Sequence, residues 1–264
     1  MNSPTAAKIN IVIISGNEST AKHVIKALDR DIHIKKVIID PGEKRSKILR
    51  KRIKRIGLFS FLGQLLFRFL MVPILHRTSK HRKAELIKSY TTNRTLEILP
   101  PFKNVANINS VEGNQTLKSL KPEAVVVVTR RIISKRTLNR IGVPFINIHD
   151  GIVPKYRGLF GAYWAMKNRD LENCGATVHL IDENLDTGPI IAQTNITDSL
   201  TDDDNFVTYP IHQFASALPL LNRALLDLSE RKLTTHTNQM EVGEVRFIPT
   251  IWSYLHNRWM NGLK

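Results

Sequence analysis

FINIHDGIVPKYRG (145–158), FGAYWAM (160–166) and GATVHLIDENLDTG (175–188) form the stretch around which the rest of the chain is organised. Phe145-Ile-Asn147-Ile-His149 alternates apolar and polar residues, so Asn147 and His149 leave one face of a strand. A second strand, Ala176 to Ile181, leads into a loop bounded by Gly188 and Pro189 that carries Asp186. Working outward, Ala124-Val-Val-Val-Val128 has no alternation, as expected of a strand buried on both faces. Ile9 to Ile14 reads the same way and ends in Ser15-Gly16-Asn17, with Ser19 or Thr20 placed to cap a helix from about Ala21 to Leu28. His33 to Ile39 is the next strand, closed by Asp40-Pro41-Gly42. Asn104 to Asn109 and Glu123 to Val128 read as strands on either side of a short helix, Asn114 to Leu120. Strand and helix signals alternating from residue 9 to 148 predict an α/β fold with a doubly wound, mostly parallel sheet. The chain after Ser15 has no G-x-G-x-x-G, which argues against a nicotinamide site. In such folds ligands lie outside the carboxyl ends of the strands, where Arg130-Arg131 and Asn147-x-His149 fall.

A carboxamide, an imidazole and a carboxylate suit acyl transfer. Asn147 can donate its amide N–H to an oxygen that turns negative as a nucleophile adds to a carbonyl. His149 can carry a proton near neutral pH or add a second donor. Asp186 can orient or charge-stabilise that imidazole. No Ser or Cys stands where it would attack, so the nucleophile is expected to be the substrate, most simply an amine. Taken alone, an Asn-x-His at a strand end is more often a turn or a satisfied hydrogen bond; the neighbouring motifs carry the functional reading.

Those motifs are Asn147-Ile-His149, Pro154-Lys-Tyr-Arg-Gly158, Gly175-Ala-Thr-Val-His179 and Leu185-Asp-Thr-Gly188, in that order. The set resembles the catalytic domain of the folate-dependent formyltransferases. That family includes glycinamide ribonucleotide formyltransferase, methionyl-tRNA formyltransferase and the sugar N-formyltransferases. Its pattern is Asn-x-His followed about 37 residues on by an Asp in an Asp-x-Gly loop, and His149 and Asp186 fit that spacing. The resemblance covers about residues 122 to 195. It implies a Rossmann-like formyltransferase fold, with Asn147, His149 and Asp186 as the catalytic triad and 10-formyltetrahydrofolate as co-substrate. It places the folate against Arg131, Ile132 and Ile133 after one strand and Ile181, Asp182, Glu183 and Leu185 in the loop before the Asp. It places the acceptor against Tyr156, Arg157 and Gly158, a Tyr-Arg-Gly that is common where amino sugars are acceptors. Two positions depart from the pattern: Arg130 stands where Met is frequent, and Gly151 where many relatives have Ser. Ser15-Gly-Asn17 is similar to the phosphate loop of the purine-pathway enzyme, but Glu18 replaces its second glycine, so an ordinary strand-to-helix turn is expected.

The chain has 264 residues, 42% of them hydrophobic, enough for a real core. Cys174 is the single cysteine, which excludes an internal disulfide and points to a reducing compartment. Its expected role is packing. Met1 to Lys8 lacks the apolar core of a signal peptide. The histidines have no ligand spacing, so no metal is expected. The net charge of +16 calls for an anionic partner. Lys44 to Lys88 holds fourteen Lys or Arg and one acid, Glu85, with a basic cluster at Arg50 to Arg55. The apolar run Ile56 to Leu75 that follows approaches the length of a membrane span, yet Arg68 and Pro73 interrupt it. The plain expectation is a helical insertion, about 43–90, packed on the sheet with a solvated basic face. The functional alternative is an interfacial helix on anionic lipid, or a basic rim for a phosphorylated substrate.

Trp164 and Tyr163 are expected in the core, and His179 either tunes the site or is a satisfied structural histidine. Thr201-Asp-Asp-Asp-Asn205 reads as a capping-rich start to a helix over Phe206 to Arg231, and Val245 to Leu255 as a strand and terminal helix. The expected organisation is a catalytic domain over 1–196 and a helical C-terminal extension over 197–264 packed on it. The expected function is N-formyl transfer from 10-formyltetrahydrofolate to a primary amine, with a phosphorylated small molecule, a nucleotide-linked amino sugar, as acceptor. Glycinamide ribonucleotide and methionyl-tRNA are the alternative acceptors. Against tRNA stands the expectation of a further C-terminal domain, for which 78 residues after Asp186 leave little room; nucleic acid is therefore set aside as partner. A 10-formyltetrahydrofolate hydrolase and a non-catalytic basic membrane- or nucleic-acid-binding protein on this fold are the other readings. The expected location is the cytoplasm with peripheral membrane contact, and a homodimer is left open.

Overall fold

Five β-branched, nearly continuous apolar segments build the centre of the molecule, and each is a strand in the computed structural model, which describes residues 9–42, 53–90 and 99–264. Met1 to Lys8, and Arg50 to Arg52 of the basic cluster, lie outside those residues. The strands are β1 (Ile9–Ser15), β2 (Ile32–Ile39), β3 (Phe102–Asn104), β4 (Ala124–Val128), β5 (Phe145–His149), β6 (Arg157–Gly158), β7 (Gly175–Leu180), β8 (Ile190–Asn195) and β9 (Val245–Arg246). Seven form one sheet in the order β3-β2-β1-β4-β5-β7-β8. Pairing is parallel from β3 to β5, then antiparallel between β5 and β7 and between β7 and β8. A mostly parallel, doubly wound sheet is what the sequence predicts, and the antiparallel end places β7 directly against β5. The strand expected over Asn104 to Asn109 is the three-residue β3 instead; the Asp40 carboxylate accepts the Ile108 N–H in the segment that follows.

The helices are α1 (Glu18–Ala27), α2 (Leu58–Thr78, with a π-helical turn at Phe67–Met71), α3 (Lys80–Tyr90), α4 (Val111–Ser119), α5 (Lys135–Ile141), α6 (Gly161–Lys167), α7 (Tyr209–Ser229) and α8 (Ile251–Asn261). Asn17, not Ser19 or Thr20, caps α1: its side chain accepts the Thr20 N–H at 2.8 Å. One face of the sheet packs on α1 and α7 through Ile11, Ile13, Ile146, Ile148, Leu221 and Leu225. The C-terminal region is therefore part of the main core, not only an addition to it. The other face carries Val12, Val125, Val127 and Phe145 under α4 and α5. A third cluster joins Phe67 and Leu75 of α2 to Tyr163 of α6, Tyr254 of α8, Phe206 and Tyr156. The basic insertion thus packs on the terminal helix layer rather than on the sheet, as the edge-on contacts of Phe67 with Phe206 and its tilted contact with Tyr254 show. Thr201 to Asn205 does not start the long helix, which begins at Tyr209; Asp204 is buried there and paired with Arg82 and His212.

Candidate active site

Alternation along β5 sends Ile146 and Ile148 into the α1–α7 core and leaves Phe145, Asn147 and His149 on the opposite face. Helices cover that face as far as Phe145. Beyond it, loops do the covering. The loop after β5 is tied to β7 by Thr177, whose hydroxyl donates to the Gly151 carbonyl at 2.7 Å and accepts the Val153 N–H at 3.2 Å. The loop after β7 folds back across β5 and brings Asp186 to His149, with Asp186 Oδ1 3.5 Å from Nδ1. The three residues singled out in the sequence therefore meet on one face of one strand pair.

Register explains the rest of the geometry. Asn147 lies opposite His179, and His149 opposite Thr177. His179 Nδ1–H donates to the Leu180 carbonyl at 2.8 Å, which leaves Nε2 to accept one amide hydrogen of Asn147 at 3.1 Å. Burial, and then the charge of His149, hold the His179 pKa below the ordinary histidine value, so the neutral ring this bond needs is the favoured one. The second Asn147 amide hydrogen stays available. His149 Nε2–H donates to the Tyr156 carbonyl at 2.8 Å. The Nδ1–Asp186 separation is longer than a hydrogen bond, so Nδ1 is the imidazole nitrogen with capacity to spare. Gly151 belongs to this arrangement: a Cβ there would lie 2.3 Å from the Tyr156 oxygen and 3.0 Å from His149 Nε2.

Asp186 has φ +53°, a left-handed conformation that is uncommon outside glycine and is held here by its contacts. Its Oδ2 accepts the Gly158 N–H at 2.9 Å. Gly158 sits in β6 with φ +91°, and a side chain there would meet the Arg246 carbonyl at 2.4 Å. Arg157 Nε donates to the Leu185 carbonyl at 2.7 Å. Arg157 and Gly158 therefore brace the aspartate loop. Tyr156 is buried, its hydroxyl donates to Asp170 at 2.7 Å, and burial followed by that bond pushes its pKa up to about 12. Its ring is a packing element, and its carbonyl is taken by His149.

The residues expected around a folate divide by how their side chains are used. Arg131 is buried, ion-paired with Asp40 and bonded to the Gly42 and Ala106 carbonyls, so its guanidinium faces inward. Arg130, one residue earlier, where the family pattern often has Met, is an exposed cation at the end of β4. Ile133 and Ile181 share a core cluster, which brings the two segments together, and Lys135 pairs with Glu183 across them. Ile132 projects from that junction and is 61% exposed. Asp182 accepts from the Asn184 N–H and the Thr187 hydroxyl, so its carboxylate shapes the loop. Ile132 and Ile181 give an apolar side to the loop 181–185, in which the Ile181 N–H, the Asn184 N–H and the Leu185 carbonyl are bonded within the protein. Asp150 escaped notice in the sequence; burial raises its pKa against the opposing charges of His149 and Arg130.

A family model described as formyl transferase matches residues 8–219. The chain belongs to the formyl transferase family. A methionyl-tRNA formyltransferase of Kosmotoga olearia is 28% identical over 209 residues, 79% of this chain and 58% of the relative. One from Thermodesulfovibrio yellowstonii is 34% identical over 138 residues, 51% of this chain and 42% of the relative. The chain thus spans about half the length of the curated relatives it matches. Among solved structures, a 4-N formyltransferase from Francisella tularensis superposes with TM-score 0.55 at 16% identity, covering 95% of this chain and 79% of that one. A phosphoribosylglycinamide formyltransferase from Anaplasma phagocytophilum gives TM-score 0.55 at 16% identity, covering 91% and 100%. These structural likenesses establish the fold of the chain, and its site is read from its own residues.

Proposed function

We propose that the protein moves a formyl group from 10-formyltetrahydrofolate to a primary amine, with an amino sugar carried on a nucleotide as the acceptor. The observation that carries the reading is the meeting of Asn147, His149 and Asp186 on one sheet face, with Asn147 oriented by His179. The bound reduced folate supplies an activated formyl group. Ile132, Ile133, Ile181 and the backbone of residues 181–185 would hold it. Asn147 offers its unspent amide hydrogen to the carbonyl oxygen as that oxygen gains charge. His149 Nδ1 offers a second donor or moves a proton, and Asp186 stabilises the charge on the ring and can take the amine proton through water. Loops on both sides of β5 keep bulk water off these groups. Arg130 and the positive surface suit an acceptor bearing phosphates.

A methionyl-tRNA acceptor is the second reading, favoured by the names of the sequence relatives. The deciding experiment is tetrahydrofolate release from 10-formyltetrahydrofolate across nucleotide-linked amino sugars, glycinamide ribonucleotide and methionyl-tRNA, with Asp186→Asn as control. Turnover with a nucleotide-linked amino sugar, lost in the control, is the expected result. Turnover with methionyl-tRNA alone replaces the acceptor, release without any amine makes the protein a hydrolase, and no release under any condition removes the enzymatic reading.

A further inference from the structure

The largest exposed apolar side chains gather on α2 and α8. Phe59 is 72% exposed, Phe69 68% and Trp259 87%, and Leu62, Leu66, Leu70, Ile74, Leu255 and Met260 are also in solvent. The two helices touch, with the Phe59 and Trp252 rings stacked at 4.3 Å. The patch is therefore continuous across both elements. Isolated exposed apolar residues are ordinary, but a contiguous patch of this kind marks a docking surface.

We propose that this face docks on an anionic lipid bilayer, lying in the interface and not crossing it. Charge identifies the occupant. Residues 53–78 and 251–264 contain no Asp or Glu. Arg68, Arg77 and Arg258 are exposed on the same elements, and Lys54 and Arg55 are exposed in the turn that leads into α2. A second copy meeting this patch through a two-fold axis would bring the same sign of charge to it, which costs association energy. An anionic membrane brings the opposite sign, together with an apolar layer for Phe59, Phe69 and Trp259. Aromatic residues at the boundary and basic residues around them are the composition of an interfacial helix. Beside Trp259 a shallow depression of about 570 Å³ is lined by Leu255, His256 and Arg258, which sets a cation next to apolar walls.

Length alone would let α2 span a bilayer: Leu58–Thr78 has mean hydropathy 1.9 over its most apolar window. Its inner side argues against that. Phe61, Phe67 and Leu75 are buried, and Phe67 packs on Phe206 and Tyr254. Crossing would strip these contacts and put Arg68 in hydrocarbon. The same surface is joined to the active site through the chain: β9 pairs with β6, whose Gly158 holds Asp186, and four residues after β9 the chain caps α8 at Thr250.

The test is co-sedimentation of the full chain with vesicles of phosphatidylcholine alone and of phosphatidylcholine mixed equally with phosphatidylglycerol, with tryptophan emission recorded in parallel. The chain is expected to pellet with the anionic vesicles, to shift its emission to the blue, and to be released at about 1 M salt, where the screening length falls to ~3 Å. The double variant Phe69→Glu/Trp259→Glu is expected to lose about tenfold or more in vesicle affinity. Its melting temperature and its formyl transfer to a soluble acceptor should not change, since both side chains are in solvent. Failure of the parent chain to pellet, or unchanged vesicle binding by the double variant, overturns the proposal. Self-association that light scattering detects and the same substitutions abolish, with no vesicle binding, gives the face to a second copy instead.

Discussion

At the scale of single residues, the proposed reaction rests on the bond between Asn147 and His179, because an amide that is free to rotate is a poor preorganised donor. Asn147→Ala should lower kcat about a hundred- to a thousandfold with little change in KM for the folate, measured as tetrahydrofolate release. His179→Ala should lower kcat by about tenfold or more through misorientation of Asn147, as loss of an orienting partner does elsewhere, and His179→Gln, which keeps an acceptor near Nε2, should recover part of it. The sign of the pH effect follows from the depressed pKa of His179. The unfolded chain takes up a proton below about pH 6.5 that the native site resists, so stability falls as pH drops from that point toward the native value. His179→Ala should flatten that part of a denaturation-midpoint series. The catalytic candidates themselves were legible in the sequence because alternation puts Asn147 and His149 on one face and the Asp-x-Gly loop marks Asp186. The roles of Tyr156, Arg157 and Gly158 were not, because which way a ring or guanidinium turns depends on Asp170, Leu185 and Arg246, which only the folded chain brings near.

At the scale of elements, the insertion is fastened to the rest of the molecule by a buried charge. Arg82 on α3 donates twice to Asp204, at 3.1 and 2.8 Å, and His212 on α7 approaches the same carboxylate at 3.0 Å. Burial raises the Asp204 pKa, but the bonds from Arg82, the Thr201 N–H and His212 outweigh it and hold the carboxyl below the ordinary range. A depressed carboxyl adds stability that is complete above the unfolded value of about 3.9 and is lost as pH falls below it. Asp204→Ala should cost about 1–3 kcal/mol by removing the shared acceptor while the part-exposed Arg82 keeps Glu85, read from urea midpoints at neutral pH, and the difference from the parent should shrink toward pH 2. Arg82→Ala should be harmful by the same logic, and the double variant less than the sum. None of this could be read from Thr201-Asp-Asp-Asp-Asn205, where the run of Asp and Asn imitates a helix start. The partner that gives Asp204 its role is 122 residues away. The strands, by contrast, were legible from local composition, since an unbroken Val or Ile run has few other outcomes.

At the scale of the whole molecule, the charge of +16 acts on any anionic acceptor before it arrives. Fields from many fixed charges raise the rate of encounter, and salt removes the effect as the screening length falls from about 30 Å at 0.01 M to about 8 Å at 0.15 M. For a nucleotide-linked acceptor, kcat/KM should fall about tenfold over that range, while kcat at saturation stays level. An uncharged amine should show no such slope. Arg130→Ala separates the local contribution from the general one: it should raise KM for the phosphorylated acceptor and make the salt slope shallower, because Arg130 is the exposed cation at the end of β4. If the slope is the same for charged and uncharged amines, the positive surface does not serve acceptor capture at this site.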